Sequence, residues 1–289
     1  DDTATSPTSG PIGVTVTVSG EAPKAISEDY PVKIYWCTQD PPYKGPKYGY
    51  GIADVDDLLA TVESPVEDTT KEYEVDVTVP YVPSNGTYYI VAWQDEDNDT
   101  VVDSGEYDTI AFTVVEGIYP SSGNVGDEVV IGGWTTTPGG LVKIYWEDQS
   151  PENLLGQAYA KADKSFTVTV TIPDPPTGTY HFIVIDDATG AMVFTEEFDL
   201  EPEITLSPDT AIQGDTITVE GTGFAAESEI TLTLYNTTAA GATDWSTELT
   251  TSPTTVETDA NGSFSCTFKV PSKSDDKDVV YGDYTVKAE

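Results

Sequence analysis

Apolar and polar residues alternate with a period of two along most of the chain. Val14-Thr15-Val16-Thr17-Val18, Val32-Lys33-Ile34-Tyr35-Trp36, Phe166-Thr167-Val168-Thr169-Val170 and Phe264-Ser265-Cys266-Thr267-Phe268 each direct one apolar set to one face. That pattern predicts half-buried β-strands. Helical periodicity is nearly absent. Only residues 55–62, around Asp56-Asp57-Leu58-Leu59, fit a short helical turn.

The alternation is organised as a repeat, and repeats govern everything downstream. Three frames overlay without gaps, starting at Pro7, Pro120 and Pro208. In each, Gly follows the Pro after six residues (Gly13, Gly126, Gly214) and a second Gly follows seven later (Gly20, Gly133, Gly221). Pro ends a first strand because it cannot donate to a ladder. The first Gly closes a turn, and the run between the glycines is the next strand. Val32-Lys33-Ile34-Tyr35-Trp36 recurs as Val142-Lys143-Ile144-Tyr145-Trp146 and, more loosely, as Ile230-Thr231-Leu232-Thr233-Leu234-Tyr235. Gly86-Thr87-Tyr88, Gly178-Thr179-Tyr180 and Gly282-Asp283-Tyr284 open a later strand, and residues 73–80 in the first frame match 166–173 and 264–271. Six or seven short strands per frame predict antiparallel β-sandwiches. A single large barrel is disfavoured because each copy carries its own strand set. The expected domains are residues 1–116, 117–201 and 202–289.

The layout Pro208, Gly214-Asp215, Gly221, Thr258-Asp259-Ala260-Asn261-Gly262-Ser263-Phe264, Val270-Pro271 and Tyr284 resembles the Ig-like repeats of archaeal and bacterial cell-surface proteins, surface-layer proteins included. It covers the second and third copies well and the first in outline. The first departs at Val14, where the others have Asp, and carries a long insertion over residues 37–71. The resemblance implies three tandem Ig-like sandwiches, an all-β class and a place outside the cell; it specifies no activity. The third copy stops inside its penultimate strand, so by the repeat count it lacks its last one. A longer polypeptide, or strand donation from a neighbouring subunit into a filament, would each fill that place. Residues 1–6 are already used as the first strand of the first copy.

Charge narrows the function. The chain has 289 residues, 51 acidic and 12 basic, for a formal charge of −39, and every basic residue is Lys. Such a balance excludes a general nucleic-acid binder and disfavours anionic lipid. No run of about eighteen apolar residues is present to span a bilayer. One His, two Cys and one Met give little material for catalysis.

The overlay exposes one anomaly. Val91-Ala92-Trp93-Gln94-Asp95 aligns with Ile183-Val184-Ile185-Asp186-Asp187, where Ala188-Thr189-Gly190 then makes an ordinary hairpin. The first copy instead inserts residues 96–108. Counting Asp95 as the first position, Asp95, Asp97, Asp99, the Val101 carbonyl, Asp103 and Glu106 occupy the ligand positions of an EF-hand-type calcium loop. Acidic side chains alternating in a tight coil converge their oxygens, and Glu106 can bind through both of its own. Thr100 replaces the usual Gly at the sharp turn, and the flanks are strands rather than helices. The expected cofactor is Ca2+ in a structural role. The clusters Asp54, Asp56, Asp57 and Asp275, Asp276, Asp278, Asp283 read as solvated faces.

Cys266 reads as a small buried hydrophobe, whereas Cys37 points to the opposite face from Val32, Ile34 and Trp36, which leaves an exposed thiol, unusual in a secreted protein, or an interchain bridge. His181 reads as a surface histidine. Asn85, Asn98, Asn236 and Asn261 begin N-glycosylation sequons; Asn85 and Asn261 sit in Asn-Gly turns, Asn98 inside the acidic loop, and Asn236 is the sequon freest of competing chemistry. Trp36, Trp93 and Trp146 are expected core anchors. The Pro/Gly/Tyr segment at residues 41–50 is either a contact for a neighbour or glycan, or a loop folded over the domain. These readings converge on a non-enzymatic, calcium-stabilised, self-associating component of a surface layer or similar envelope assembly. An adhesin or stalk binding a glycan or protein, and a strand-donating filament subunit, are the alternatives. A carbohydrate-active enzyme stands behind them.

Overall fold

The computed structural model describes residues 3–38, 57–63, 71–95, 105–237, 243–274, 277–279 and 282–289. These residues are all-β, apart from one 3-10 turn at Pro151–Asn153.

The first repeat holds β1 (Ala4–Ser6), β2 (Ser9–Gly10), β3 (Thr15–Glu21), β4 (Val32–Cys37), β5 (Asp57–Val62), β6 (Glu72–Thr78), β7 (Gly86–Trp93) and β8 (Tyr107–Val114). They form two sheets, ordered β1-β3-β6 and β2-β8-β7-β4-β5. The second repeat holds β9 (Gly117–Tyr119), β10 (Ser122–Gly123), β11 (Glu128–Trp134), β12 (Leu141–Trp146), β13 (Leu154–Tyr159), β14 (Ser165–Thr171), β15 (Gly178–Asp186) and β16 (Ala191–Leu200). Its sheets, β14-β11-β9 and β10-β16-β15-β12-β13, have the same topology strand for strand. The third repeat holds β17 (Glu203–Ser207), β18 (Thr216–Thr222), β19 (Glu229–Ile230), β20 (Leu232–Thr237), β21 (Thr243–Glu248), β22 (Thr251–Ser252), β23 (Val256–Glu257), β24 (Phe264–Lys269), β25 (Lys273–Ser274), β26 (Lys277–Asp278) and β27 (Thr285–Ala288). Its larger sheets run β17-β18-β24-β22 and β21-β20-β27.

The repeat seen in sequence is a repeat of geometry. Gly13, Gly126 and Gly214 adopt φ of 88°, 89° and 88°, a left-handed conformation in which a side chain would be strained. Each donates its N–H to the equivalent carbonyl, Val79, Ile172 and Val270 respectively. The peptide bond before Pro7, Pro120 and Pro208 is cis in all three copies. The inward residues of the alternating strands make the cores. In the first repeat these include Val16, Val18, Ile34, Trp36, Ile90 and Phe112; in the third, Val219, Leu232, Phe264, Cys266 and Phe268.

Two expectations are corrected. Within residues 55–62 the described part, Asp57–Val62, is not a helical turn but strand β5, paired antiparallel with β4 through a bulge at Ile34/Tyr35. Leu59, Ala60 and Val62 pack on the first core, so strand pairing outweighed the weak local helical pattern. β5 matches β13, which means the apparent insertion over residues 37–71 contains a regular strand of the repeat. Cys37 is not exposed but 6% accessible. It faces away from the main core, as its register requires, yet joins Tyr35, Val91 and Trp93 in a second apolar cluster on that outer face. It forms no disulfide.

By compactness the chain divides into two units. One comprises residues 1–120, 129–170 and 182–196; the other comprises 121–128, 171–181 and 197–289. The division falls within the second repeat. Within the first unit, Trp134 of the second repeat packs against the first core and donates its indole Nε1–H to the Val82 carbonyl at 2.7 Å. Within the second unit, the Thr177 N–H donates to the Phe224 carbonyl at 2.9 Å, and the Ser263 hydroxyl to Asp174 at 3.2 Å.

Candidate metal loop and the clamps beside it

The β7–β8 hairpin ends with Trp93 opposite Tyr107, and the Gln94 N–H then donates to the Glu106 carbonyl at 2.9 Å. Asp95 and Glu106, the first and last positions of the acidic loop, are therefore held at the two sides of one hairpin mouth. Glu106 is 6% exposed and Asp95 half-buried. A carboxylate so far from water requires donors or a cation. Asp97, Asp99, Val101 and Asp103 lie outside the described residues, as do residues 41–50. Among the described residues, no three His, Cys, Asp or Glu side chains come together as a metal site. The described part of the loop holds two of the six expected ligand positions, Asp95 and Glu106, whose carboxylate oxygens are of the chemistry a hard cation takes.

Beneath the mouth lies a recess of about 70 Å³, lined among others by Thr3, Tyr73, Trp93, Gln94, Glu106 and Asp108. Its walls are tied by hydrogen bonds. Asp108 accepts from the Thr3 and Thr109 N–H groups, each at 2.8 Å. The Thr3 hydroxyl and the Tyr73 phenol lie 2.8 Å apart. Burial pushes the Tyr73 phenol above its ordinary range, against the Thr3 hydrogen bond. The Trp93 indole Nε1, buried in this wall, has no hydrogen-bond partner among the described residues.

Gln94 is 1% exposed and acts as a clamp. Its amide donates to the Tyr30 carbonyl and accepts from the Lys24 N–H, both at 2.8 Å, which pins the loop between β3 and β4 against β7. The residue aligned with it in the second repeat is Asp186, fully buried, which pins the corresponding loop. Its Oδ2 accepts from the hydroxyls of Thr135 at 2.8 Å, Thr136 at 2.6 Å and Thr137 at 2.7 Å, and from the Thr137 N–H at 3.1 Å. Its Oδ1 accepts from the Ala188 N–H at 3.1 Å. The Thr136 hydroxyl above all, with those of Thr137 and Thr135, holds this carboxyl well below the usual carboxylate range although burial opposes it. Sequence reasoning missed this role. Its one signal was the Thr135-Thr136-Thr137 run, which has meaning only when set against an acid about fifty residues away.

The other candidates are dispersed. Asn85 and Asn261 are exposed in turns, whereas Asn236 is half-buried in β20 opposite Trp245. Asn98 lies outside the described residues. His181 lies 3.6 Å from Glu197 on the surface. Trp36, Trp93 and Trp146 are buried, at 1, 2 and 6% exposure, as expected of anchors. Asp283 is exposed, and the remaining members of the two solvated acidic clusters lie outside the described side chains. Among the described residues no helix is long and apolar enough to cross a membrane.

No family model matches the sequence, and no curated protein matches it. Among solved structures, a tetra-tandem repeat from the extending region of a large adhesion protein is 17% identical over 99% of this chain and 68% of that one, with a TM-score of 0.25. Invasin, a bacterial integrin-binding protein, is 12% identical over 100% of this chain and 56% of its own, with a TM-score of 0.24. The D0–D1 domain of intimin is 12% identical over 68% of this chain and 97% of that one, with a TM-score of 0.22. At such scores these likenesses transfer neither architecture nor activity.

Proposed function

We propose that the chain is a non-enzymatic structural module of the cell exterior, a run of three β-sandwich repeats that serves as a calcium-stiffened element of a surface layer or similar envelope assembly. The observation that carries this is the placement of Asp95 and Glu106 at one hairpin mouth, with Glu106 buried. A cation taken up there would tie β7 to β8 and rigidify the end of the first sandwich. The bonded seams at Trp134–Val82 and Thr177–Phe224 support the same role, because each fixes one repeat against the next within a compact unit. An excess of 51 acidic over 12 basic residues suits a surface bathed in cations and repels polyanions.

Calorimetry of the intact chain tests the reading. Calcium at a hundredfold excess over its dissociation constant should stabilise the first unit by about 2.7 kcal/mol. The chelated form should melt earlier in that unit alone. Glu106→Gln should abolish the calcium response while leaving the chelated protein's melting nearly unchanged. Identical melting with calcium and with chelator would exclude the metal loop.

A further inference from the structure

The larger sheet of the second repeat ends at β13, which pairs with β12 on one side and, among the described residues, with no strand on the other. This edge lies mid-sequence. The 3-10 turn at Pro151–Asn153 leads into it from β12, and a turn at residues 161–164, where the Lys164 N–H donates to the Lys161 carbonyl, leads out toward β14. Two bonds fix which way its backbone groups point. The Ala160 N–H donates to the Gly140 carbonyl at 2.9 Å, so by alternation the main-chain groups of Ala158 and Gly156 also face β12. The Asp187 N–H donates to the Leu141 carbonyl on the far side of β12, which turns Val142, the partner of Ala158, toward β13. The N–H and C=O of Gln157 and Tyr159 therefore point out of the sheet. The bulge in this ladder lies between Ile144 and Tyr145 and leaves residues 156–159 in regular register.

Side chains and charge decide what fits there. A Cβ on Gly156 would lie 3.0 Å from Val168 and Val170, so that position faces the core. Gln157 and Tyr159 face the other way; Gln157 is exposed and Tyr159 is 74% exposed. The strand, Leu154-Leu155-Gly156-Gln157-Ala158-Tyr159, has no charged residue and no Pro, the usual guards of an edge. Its counterpart in the first repeat, β5, begins at Asp57 and is followed by Glu63, and the edge strand β21 of the third carries Asp244 and Glu248. Charge is instead divided between the two approaches to β13. Asp148 and Glu152 precede it and Lys161 and Lys164 follow it, all exposed, while Asp163 is turned back onto the Ser165 hydroxyl. A strand neutral along its length and opposite in charge at its two ends is complementary to a reversed copy of itself.

We propose that β13 is the surface on which a second copy of this chain pairs, antiparallel and about a two-fold axis at Ala158, joining two five-stranded sheets into one. Gln157 of each copy lies opposite Tyr159 of the other, which takes up the outward N–H and C=O groups of both residues. The approach carrying Asp148 and Glu152 in each copy meets the turn carrying Lys161 and Lys164 in the other. The same contact is thus made twice, as an isologous interface requires. A parallel arrangement would set Glu152 against Glu152. The charge of −39 per chain opposes looser association, so pairing relies on this local match and on salt that screens the rest. The surface is separate from the calcium loop and needs no metal.

Sedimentation of the intact chain, with chelator present and salt near physiological strength, tests the pairing. A concentration-dependent dimer is expected, and amide hydrogen exchange at Gln157 and Tyr159 should slow as it forms. Gln157→Pro removes one outward N–H and no bond to β12, and should weaken the dimer about thirtyfold. Two charge variants then test the orientation. Glu152→Lys, and separately Lys161→Glu combined with Lys164→Glu, should each weaken self-pairing about tenfold. An equal mixture of the two should dimerise as tightly as the native chain, because both junctions of the mixed pair again carry opposite charges. A monomer at every concentration up to about 1 mM would overturn the proposal, as would a dimer indifferent to Gln157→Pro or a mixture no tighter than its components.

Discussion

Asp186 gathers five donors, and four of them converge on one oxygen. The bonds favour the ionised carboxylate, so its pKa in the folded chain lies below that of the unfolded chain. A group shifted downward contributes stability that is complete above the unfolded value and lost as pH falls through the carboxylate range toward the folded value. Asp186→Asn should therefore cost about 3 kcal/mol at neutral pH. The deficit should shrink as pH drops below about 4. Urea unfolding at both pH values measures it, and a deficit that did not change with pH would refute the linkage. The alignment brought Asp186 level with Gln94, but nothing local in either segment shows that both clamp a loop. Their partners in the clamped loops lie 49 to 70 residues away, and only the fold brings them together.

At the level of elements, turn chemistry was the most legible part. The Asn261-Gly262 turn is one case. Gly262 has φ of 76°, and a Cβ there would lie 1.9 Å from the Phe224 carbonyl oxygen. No rotamer relieves a backbone clash, so Gly262→Ala should destabilise the third repeat by more than about 2 kcal/mol. Gly190→Ala supplies the contrast: its φ is 70° but no atom lies within 4 Å, so it should cost about 1 kcal/mol. Denaturant titration of the two variants compares them, and equal costs would show that the Phe224 contact carries nothing. Strand identity was legible wherever alternation was long, as in β3, β14 and β24. It failed at β5, where Asp56-Asp57-Leu58-Leu59 has no alternation and the pairing with β4 decides the conformation. Tyr284 illustrates the same limit at a strand start: β27 begins one residue later, at Thr285.

Across the whole molecule, the charge of −39 opposes compaction at low ionic strength. Melting temperature should rise with sodium chloride through screening. Calcium at matched ionic strength should raise it further, and only in the first unit. A calcium effect no larger than that of magnesium at equal strength would reduce the loop to general screening. The repeated architecture could be read from Pro and Gly spacing because each copy reuses the same turn geometry. The division into compact units could not, since its boundary cuts through β15 and β16 instead of following the repeats. The second apolar cluster around Cys37 was equally hidden, because alternation assigns a face without saying what covers it.

Cys37 belongs to one compact unit and Cys266 to the other, and both thiols are buried. Burial pushes the Cys266 thiol above its ordinary range, which keeps the reactive thiolate scarce. Each sulfur reaches an alkylating reagent only when its own surroundings open. The polypeptide thus carries two built-in clocks, one per half, and the rate at which a small iodoacetamide marks each would time their breathing separately.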